Sequence, residues 1–195
     1  MNLRRVKLTR KTKETSVSIE LNPDRNDPIE INTKLPFFDH LLSSMAFHSE
    51  MGIQLKAEGD ITVDPHHLVE DTGLVLGDLL YELIEKHGPV VRFGQSIIPM
   101  DEALSEVSID VCGRPTLVYL AEFPQKKIGT FDPSLIREFL TALSTRARIS
   151  LHAHIRYGSN SHHMAESLFK ALGKALKMAY SRADQVLSTK GTVLE

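Results

Sequence analysis

Polar and apolar residues alternate along SVSIEL, where Val17, Ile19 and Leu21 share one face, and this period of two predicts a half-buried strand. The period then lengthens: LPFFDHLLSSMAFHS sets Phe38, Leu41, Leu42, Met45 and Phe47 at helical spacing. GIQLKAEGDITVD returns to alternation through Ile53, Leu55 and Ala57. From His66, HHLVEDTGLVLGDLLYELIEKHG carries a stripe of Leu76, Leu79, Leu80, Leu83 and Ile84, which Gly88-Pro89 ends. The rest of the chain replays this order. EVSIDV and TLVYLAEF read as strands, SLIREFLTALSTRA as a helix, RISLHAHIRYG as a strand and HHMAESLFKALGKALKMAY as a helix.

Laying His66 on His162 is a shift of 162 − 66 = 96 positions, and the same shift carries His67 onto His163, Glu70 onto Glu166 and Gly77 onto Gly173. Two amphipathic helices share leucines by chance, but not two His-His-x-x-Glu openings. Internal duplication is the economical reading. The expected fold class is α/β, in the α+β sense: two similar lobes of sheet backed by helices, one domain over 1–195, with repeat halves of about 1–90 and 91–195.

Composition narrows the function classes. At 195 residues, 42% hydrophobic and 25% charged, the chain can bury one sizeable core or two small ones. A net charge of −2 gives no general pull toward nucleic acid or anionic membrane, so neither is expected as a partner. The longest apolar run, Leu117 to Ala121, is far short of a bilayer span, and the N-terminal segment has no apolar signal core. A single cysteine, Cys112, excludes an internal disulfide and fits a reducing compartment, so a cytoplasmic location is expected.

Nine histidines and no tryptophan are the unusual feature. Successive residues on a helix are rotated by about 100°, so adjacent imidazoles diverge and rarely share one ion. Each pair therefore suits two ions, with Glu70 or Glu166 able to reach either histidine. Imidazole with carboxylate is a borderline donor set, compatible with Mn, Fe, Co, Ni or Zn. The bland alternative is a polar helix start; two copies beside further histidines argue against it. Of those, His40 and His48 are eight apart on one predicted helix, while His152 and His154 share the polar face of a strand. His87, before Gly88, reads as a helix C-terminal residue.

With these residues in view, the chain resembles the imidazoleglycerol-phosphate dehydratases, hydro-lyases of histidine biosynthesis. The similarity runs through RKTKET, FFDHLL, DPHHLVEDTGLVLG, RFGQSIIPMDEAL, DVCGRP, LHAHIRYGSNSHHMAESLFKALGKAL and STKG, in that order. The resemblance implies a duplicated split β-α-β fold, two Mn2+ per active site, and trimers assembled into a twenty-four-subunit shell. It implies metal ligands at His40, His66, His67, Glu70, His152, His162, His163 and Glu166, preferring His152 to His154. Arg92, Arg114, Ser188 and Lys190 fall where the family grips the substrate phosphate, with Lys170 and Thr189 also on the substrate side. Guanidinium forks and a hydroxyl suit a phosphate dianion. Glu14, His40, Ser44 and His48 match positions toward the substrate, and Glu14, His48 and Glu166 are the implied catalytic residues. Three departures stand out: Lys34 where the family often has glycine, Ser44 where many members have glutamine, and SLH in place of NLH.

The implied reaction converts imidazole glycerol phosphate to imidazole acetol phosphate and water. Its difficulty is a carbon-bound hydrogen with no adjacent carbonyl. Divalent ions on the imidazole ring would act as Lewis acids, and either Glu166 or Glu14 would transfer the proton. A two-ion phosphoesterase would place its ions at the phosphate, whereas here a separate cationic group is expected to hold it. A metal-storage shell would need the histidines but not Arg92, Arg114 and Lys190.

Overall fold

Alternation in the first half resolves into a four-stranded sheet in a computed structural model that describes residues 3–185. The strands are β1 (Val6–Lys11), β2 (Thr15–Asn22), β3 (Ile29–Asn32) and β4 (Gly52–Gly59), with helices α1 (Pro36–Ser49) and α2 (His66–His87). The second half repeats the order with β5 (Phe93–Met100), β6 (Ala103–Asp110), β7 (Thr116–Leu120), α3 (Leu135–Ala147), β8 (Ser150–Tyr157) and α4 (Ser161–Ala179). The spatial orders are β1-β2-β4-β3 and β5-β6-β8-β7, each with two antiparallel pairings and one parallel pairing, β3 on β4 and β7 on β8. One topology has been built twice.

Each sheet buries one face only. Val17, Ile19 and Leu21 of β2 and Ile53, Leu55 and Ala57 of β4 point inward, as Val107 and Ile109 of β6 and Leu151, Ala153 and Ile155 of β8 do in the other lobe. Against these faces lie α1 and α2 in the first half and α3 and α4 in the second; across the middle α1 packs on α4 and α2 on α3. The helices form the interior, and both sheets turn their polar faces outward.

Gly77 and Gly173 let the helices approach. A Cβ on Gly77 would stand 2.7 Å from the Leu143 carbonyl oxygen and 2.7 Å from the Arg146 Cβ; one on Gly173 would fall on the Met45 carbonyl oxygen and lie 3.1 Å from the His48 Cβ. Met45, His48 and Ser49 thus match Leu143, Arg146 and Ala147, each 98 positions on, while α2 and α4 keep the 96-position offset. The connection from strand to paired-histidine helix is therefore two residues shorter in the second half. Residues Glu50 and Arg148 close α1 and α3 in the left-handed region, also 98 apart.

Several strands differ from the sequence reading. β1, β3 and β5 carry weak alternation because each is an edge strand with few buried positions. Phe47 leaves the apolar stripe of α1 and is 67% exposed. The spacing of Phe38, Leu41, Leu42 and Met45 already defines the buried face, and a residue two positions after Met45 points about 200° away.

Candidate functional site

The two helix openings repeat at the level of single atoms. The His66 amide donates to Asp64 Oδ1 at 2.8 Å, and the His162 amide donates to Asn160 Oδ1 at 2.9 Å, so the same position two residues upstream holds each helix start. The rings of each pair stand nearly perpendicular, at 88° for His66/His67 and 82° for His162/His163. In both, the first histidine turns Nε2 to the glutamate four residues on: His66 to Glu70 at 3.9 Å, His162 to Glu166 at 3.1 Å. The second turns Nδ1 to a carboxylate from outside the helix: His67 to Asp60 at 3.2 Å, His163 to Glu102 at 2.7 Å.

Because α1 crosses α4, His40 reaches the second opening. His40 Nε2 lies 3.0 Å from Glu166 Oε2, the oxygen that also faces His162. Donor atoms of His40, His162 and Glu166 all fall within 4.8 Å of one another, the single such grouping of three among the described residues. Phe37 walls this side, its ring 5.0 Å from that of His162 and 6.0 Å from that of His40. Burial alone would raise the Glu166 carboxyl, but hydrogen bonds from His40 and Lys170 outweigh it and bring the pKa down to about 2. Glu166 is thus an anion with one oxygen toward two imidazoles and the other toward Lys170 at 2.9 Å. Two imidazole nitrogens and an anionic oxygen at this spacing fit a divalent ion of the borderline class.

Ser44 and His48, both half-buried, follow the exposed His40 along one side of α1. Burial, with the charges of Lys170 and Lys174, pushes the His48 pKa down, which favours the neutral ring. At the other opening, Glu14 is exposed and its carboxylate comes within 3.8 Å of His67 Nδ1. A hydrogen bond donated to Asp60, reinforced by the Glu14 charge, pushes the His67 pKa up; one donated to Glu102 does the same for His163.

A third region lies on the outer face of the second sheet. His152 projects from β8 into a shallow cleft it shares with His154, Phe93, Asp110 and Leu120. Arg92 grips Asp110 at the margin of this cleft, through Nε at 2.7 Å and Nη2 at 3.2 Å. Arg114 is exposed nearby, its carbonyl held by Ser150, the residue that begins SLH. Arg92 and Arg114 therefore stand apart from the helix openings but share this face with His152, one of the expected ligands. Ser188, Thr189 and Lys190 lie outside the described residues.

One chain thus does not bring the eight expected ligands together. It assembles His40, His162 and Glu166, sets His66 beside Glu70, and leaves His152 on an outward sheet face. Asp60, Glu102 and Asp110 escaped the sequence reading. Glu102 stood in a motif already noted, IIPMDEAL, but only the fold reveals that its turn abuts the start of α4.

Comparisons with known proteins show the family. Residues 33–176 match the family model for imidazoleglycerol-phosphate dehydratase. An imidazoleglycerol-phosphate dehydratase from Methanosarcina barkeri is 46% identical over 98% of this chain and 100% of its own length. One from Exiguobacterium is 46% identical over 98% of this chain and 99% of that relative. Among solved structures, the dehydratase of that name from Staphylococcus aureus superposes with a TM-score of 0.83 at 37% identity, covering 92% of this chain and 99% of the other. The IGPD from Pyrococcus furiosus gives 0.83 at 35%, covering 94% and 99%.

Proposed function

The chain belongs to the imidazoleglycerol-phosphate dehydratase family of hydro-lyases in histidine biosynthesis, and from that premise we propose that it dehydrates imidazole glycerol phosphate using two divalent ions, Mn2+ for preference. The observation that carries the metal reading is the convergence of His40, His162 and Glu166 within 4.8 Å. His66 with Glu70, and the second histidines His67 and His163, supply further donors, and His152 completes the set. Ions held there would act as Lewis acids on the imidazole ring of the substrate.

The chain's own residues divide the remaining work. Glu166, ionised and committed to two imidazoles and Lys170, holds an ion rather than shuttling a proton. Glu14 takes the carbon-bound proton: its carboxylate is exposed, and its ion-pair contact is His67 at 3.8 Å. His48 presents a neutral imidazole to the substrate. Arg92 and Arg114, with Ser188, Thr189 and Lys190, hold the phosphate; Arg92 is pre-oriented by Asp110.

His152 faces away from the helices that carry the other donors, which supports a site completed by a neighbouring subunit. The proposed assembly is a shell of twenty-four subunits built from trimers and cemented by the ions, in the cytoplasm. Among the described residues no helix is long and apolar enough to cross a membrane. Loss of water from imidazole glycerol phosphate, assayed with and without Mn2+, tests the reaction. Analytical ultracentrifugation with and without chelator tests the assembly, which is expected to dissociate as metal leaves. A full-size particle after verified metal removal would confine the ions to catalysis.

A further inference from the structure

His67 and His163 are the donors whose nitrogens the fold has already assigned. Glu102, in the turn between β5 and β6, receives four contacts. Its Oε2 faces His163 Nδ1 at 2.7 Å; its Oε1 accepts from the Asn160 amide at 2.8 Å, the Ser159 amide at 3.1 Å and the Ser159 hydroxyl at 3.3 Å. Three donors converge on Oε1, which leaves Oε2 to face the ring. An ionised carboxylate only accepts hydrogen bonds, so the hydrogen at this contact must sit on His163 Nδ1. A neutral imidazole protonated at Nδ1 carries its lone pair on Nε2. Around that nitrogen, Asp101 Oδ2 is 3.7 Å away, too far for a hydrogen bond.

The first half makes the same arrangement from different residues. Asp60, just before α2, places its carboxylate oxygens 3.2 and 3.4 Å from His67 Nδ1. Asp60 and Glu102 occupy unrelated places in the two lobes, one after β4 and the other after β5. Glu14, which precedes β2 as Glu102 precedes β6, also faces His67 Nδ1, at 3.8 Å, so the duplicated turn aims a carboxylate at the second histidine in both lobes, and Asp60 supplies the shorter contact in the first.

We propose that Glu102 and Asp60 are positioning residues, which fix the tautomer and ring orientation of His163 and His67 so that Nε2 alone is presented to an ion. This rests on the metal reading above. A carboxylate behind a ligating imidazole also raises the basicity of the donor nitrogen, and losing one costs 10- to 100-fold in ion affinity as a rule.

Glu102→Gln separates this role from a purely structural one. Glutamine keeps one oxygen, and three donors from Ser159 and Asn160 claim it, so the loop stays held. The amide NH2 then faces His163 Nδ1, which must become the acceptor, and the ring hydrogen moves to Nε2, where it blocks ligation. Mn2+ alone is titrated into the full-length protein, free ion is read by electron paramagnetic resonance, and unfolding of the metal-free protein is followed in parallel. Glu102→Gln is expected to weaken one bound Mn2+ by roughly 10- to 100-fold with the metal-free unfolding midpoint unchanged. In a His163→Ala background it adds nothing, because it acts through that ring. Asp60→Ala, whose side chain makes no contact to the loop backbone among the described residues, weakens an ion through His67 and serves should Glu102→Gln fail to fold. Wild-type Mn2+ affinity in Glu102→Gln or Asp60→Ala overturns the proposal, as does an equal loss in the His163→Ala background. A wild type that takes up no Mn2+ removes the metal reading itself, and this inference with it.

Discussion

Gly173→Ala tests how the helix crossing sets the candidate metal centre. The new Cβ would meet the Met45 carbonyl oxygen and sit 3.0 Å from the Ser49 nitrogen, both backbone atoms that cannot rotate aside. At the equivalent Gly77 the nearest atoms stand 2.7 Å away, so reaching ordinary spacing of 3.4 Å means moving helices apart by about 0.7 Å; Gly173 is tighter still. Overpacking of this kind costs about 1–3 kcal/mol, while alanine regains about 1 kcal/mol of helix propensity. The net loss is about 0–2 kcal/mol, or up to roughly 8 °C in Tm for a chain of this size, toward the upper end because the contact at Gly173 is with backbone. Gly173 lies seven residues, about 10 Å, along α4 from Glu166. Separating α1 from α4 there stretches the 3.0 Å contact between His40 and Glu166 beyond hydrogen-bond length and lowers Mn2+ affinity by about tenfold. Gly77→Ala is the control: it loosens α2 from α3, costs similar stability, and leaves His40 against Glu166. Differential scanning calorimetry and Mn2+ titration read the two effects. An unchanged Tm with unchanged Mn2+ affinity in Gly173→Ala would refute the reasoning.

Lys34 adopts φ 66° before α1, where a side chain is strained, so Lys34→Gly is expected to raise stability by about 0.5–1 kcal/mol, read as a higher urea midpoint. Asp24→Asn leaves the Arg4 guanidinium, 5% exposed, without its countercharge and with neutral acceptors alone, at a cost of about 3 kcal/mol near pH 7. Burial favours the neutral Asp24 carboxyl, but hydrogen bonds from Arg4 and Arg182 outweigh it and hold the pKa well below the carboxylate range. That stability is present above about pH 4 and fades as pH falls toward the folded value, so thermal melts of wild type and Asp24→Asn should converge in acid. Arg114→Ala should raise KM strongly, by about 2–4 kcal/mol in kcat/KM, with Mn2+ content intact; unchanged kinetics would take Arg114 out of the phosphate grip.

The sequence made the repeat legible because α2 and α4 are long, strongly patterned and open on rare residue types. It made the edge strands illegible because β1, β3 and β5 bury too few side chains to impose a period. A uniform 96-position offset also concealed the two-residue difference before α4, which appears only when Met45 and Leu143 are seen against equivalent glycines. Among site residues, the divergence of adjacent histidines followed from helix geometry. The meeting of His40 with His162 did not, since their separation of 122 positions is closed by helices packing across the two lobes. Glu102 and Asp60 carry no periodic signal, and only tertiary placement gives them a partner.

The helix layer joins α1 to α4 and α2 to α3, which is one contact made twice about a pseudo-twofold axis. A lobe with such a surface is self-complementary, as in a symmetric homodimer, where any substitution enters both sides of the interface together. Joining the lobes in one polypeptide removes that restriction: each position becomes free to vary alone. The residues record the freedom. His40 has Glu138 at its counterpart 98 positions on, His48 has Arg146, and His152 has Gln54 at the same offset back. The paired openings on α2 and α4 are alike, while α1 and β8 each carry histidines that their counterparts lack. Symmetry survives in the packing and has been broken in the chemistry, so the two clusters can evolve as distinct instruments on one shared frame.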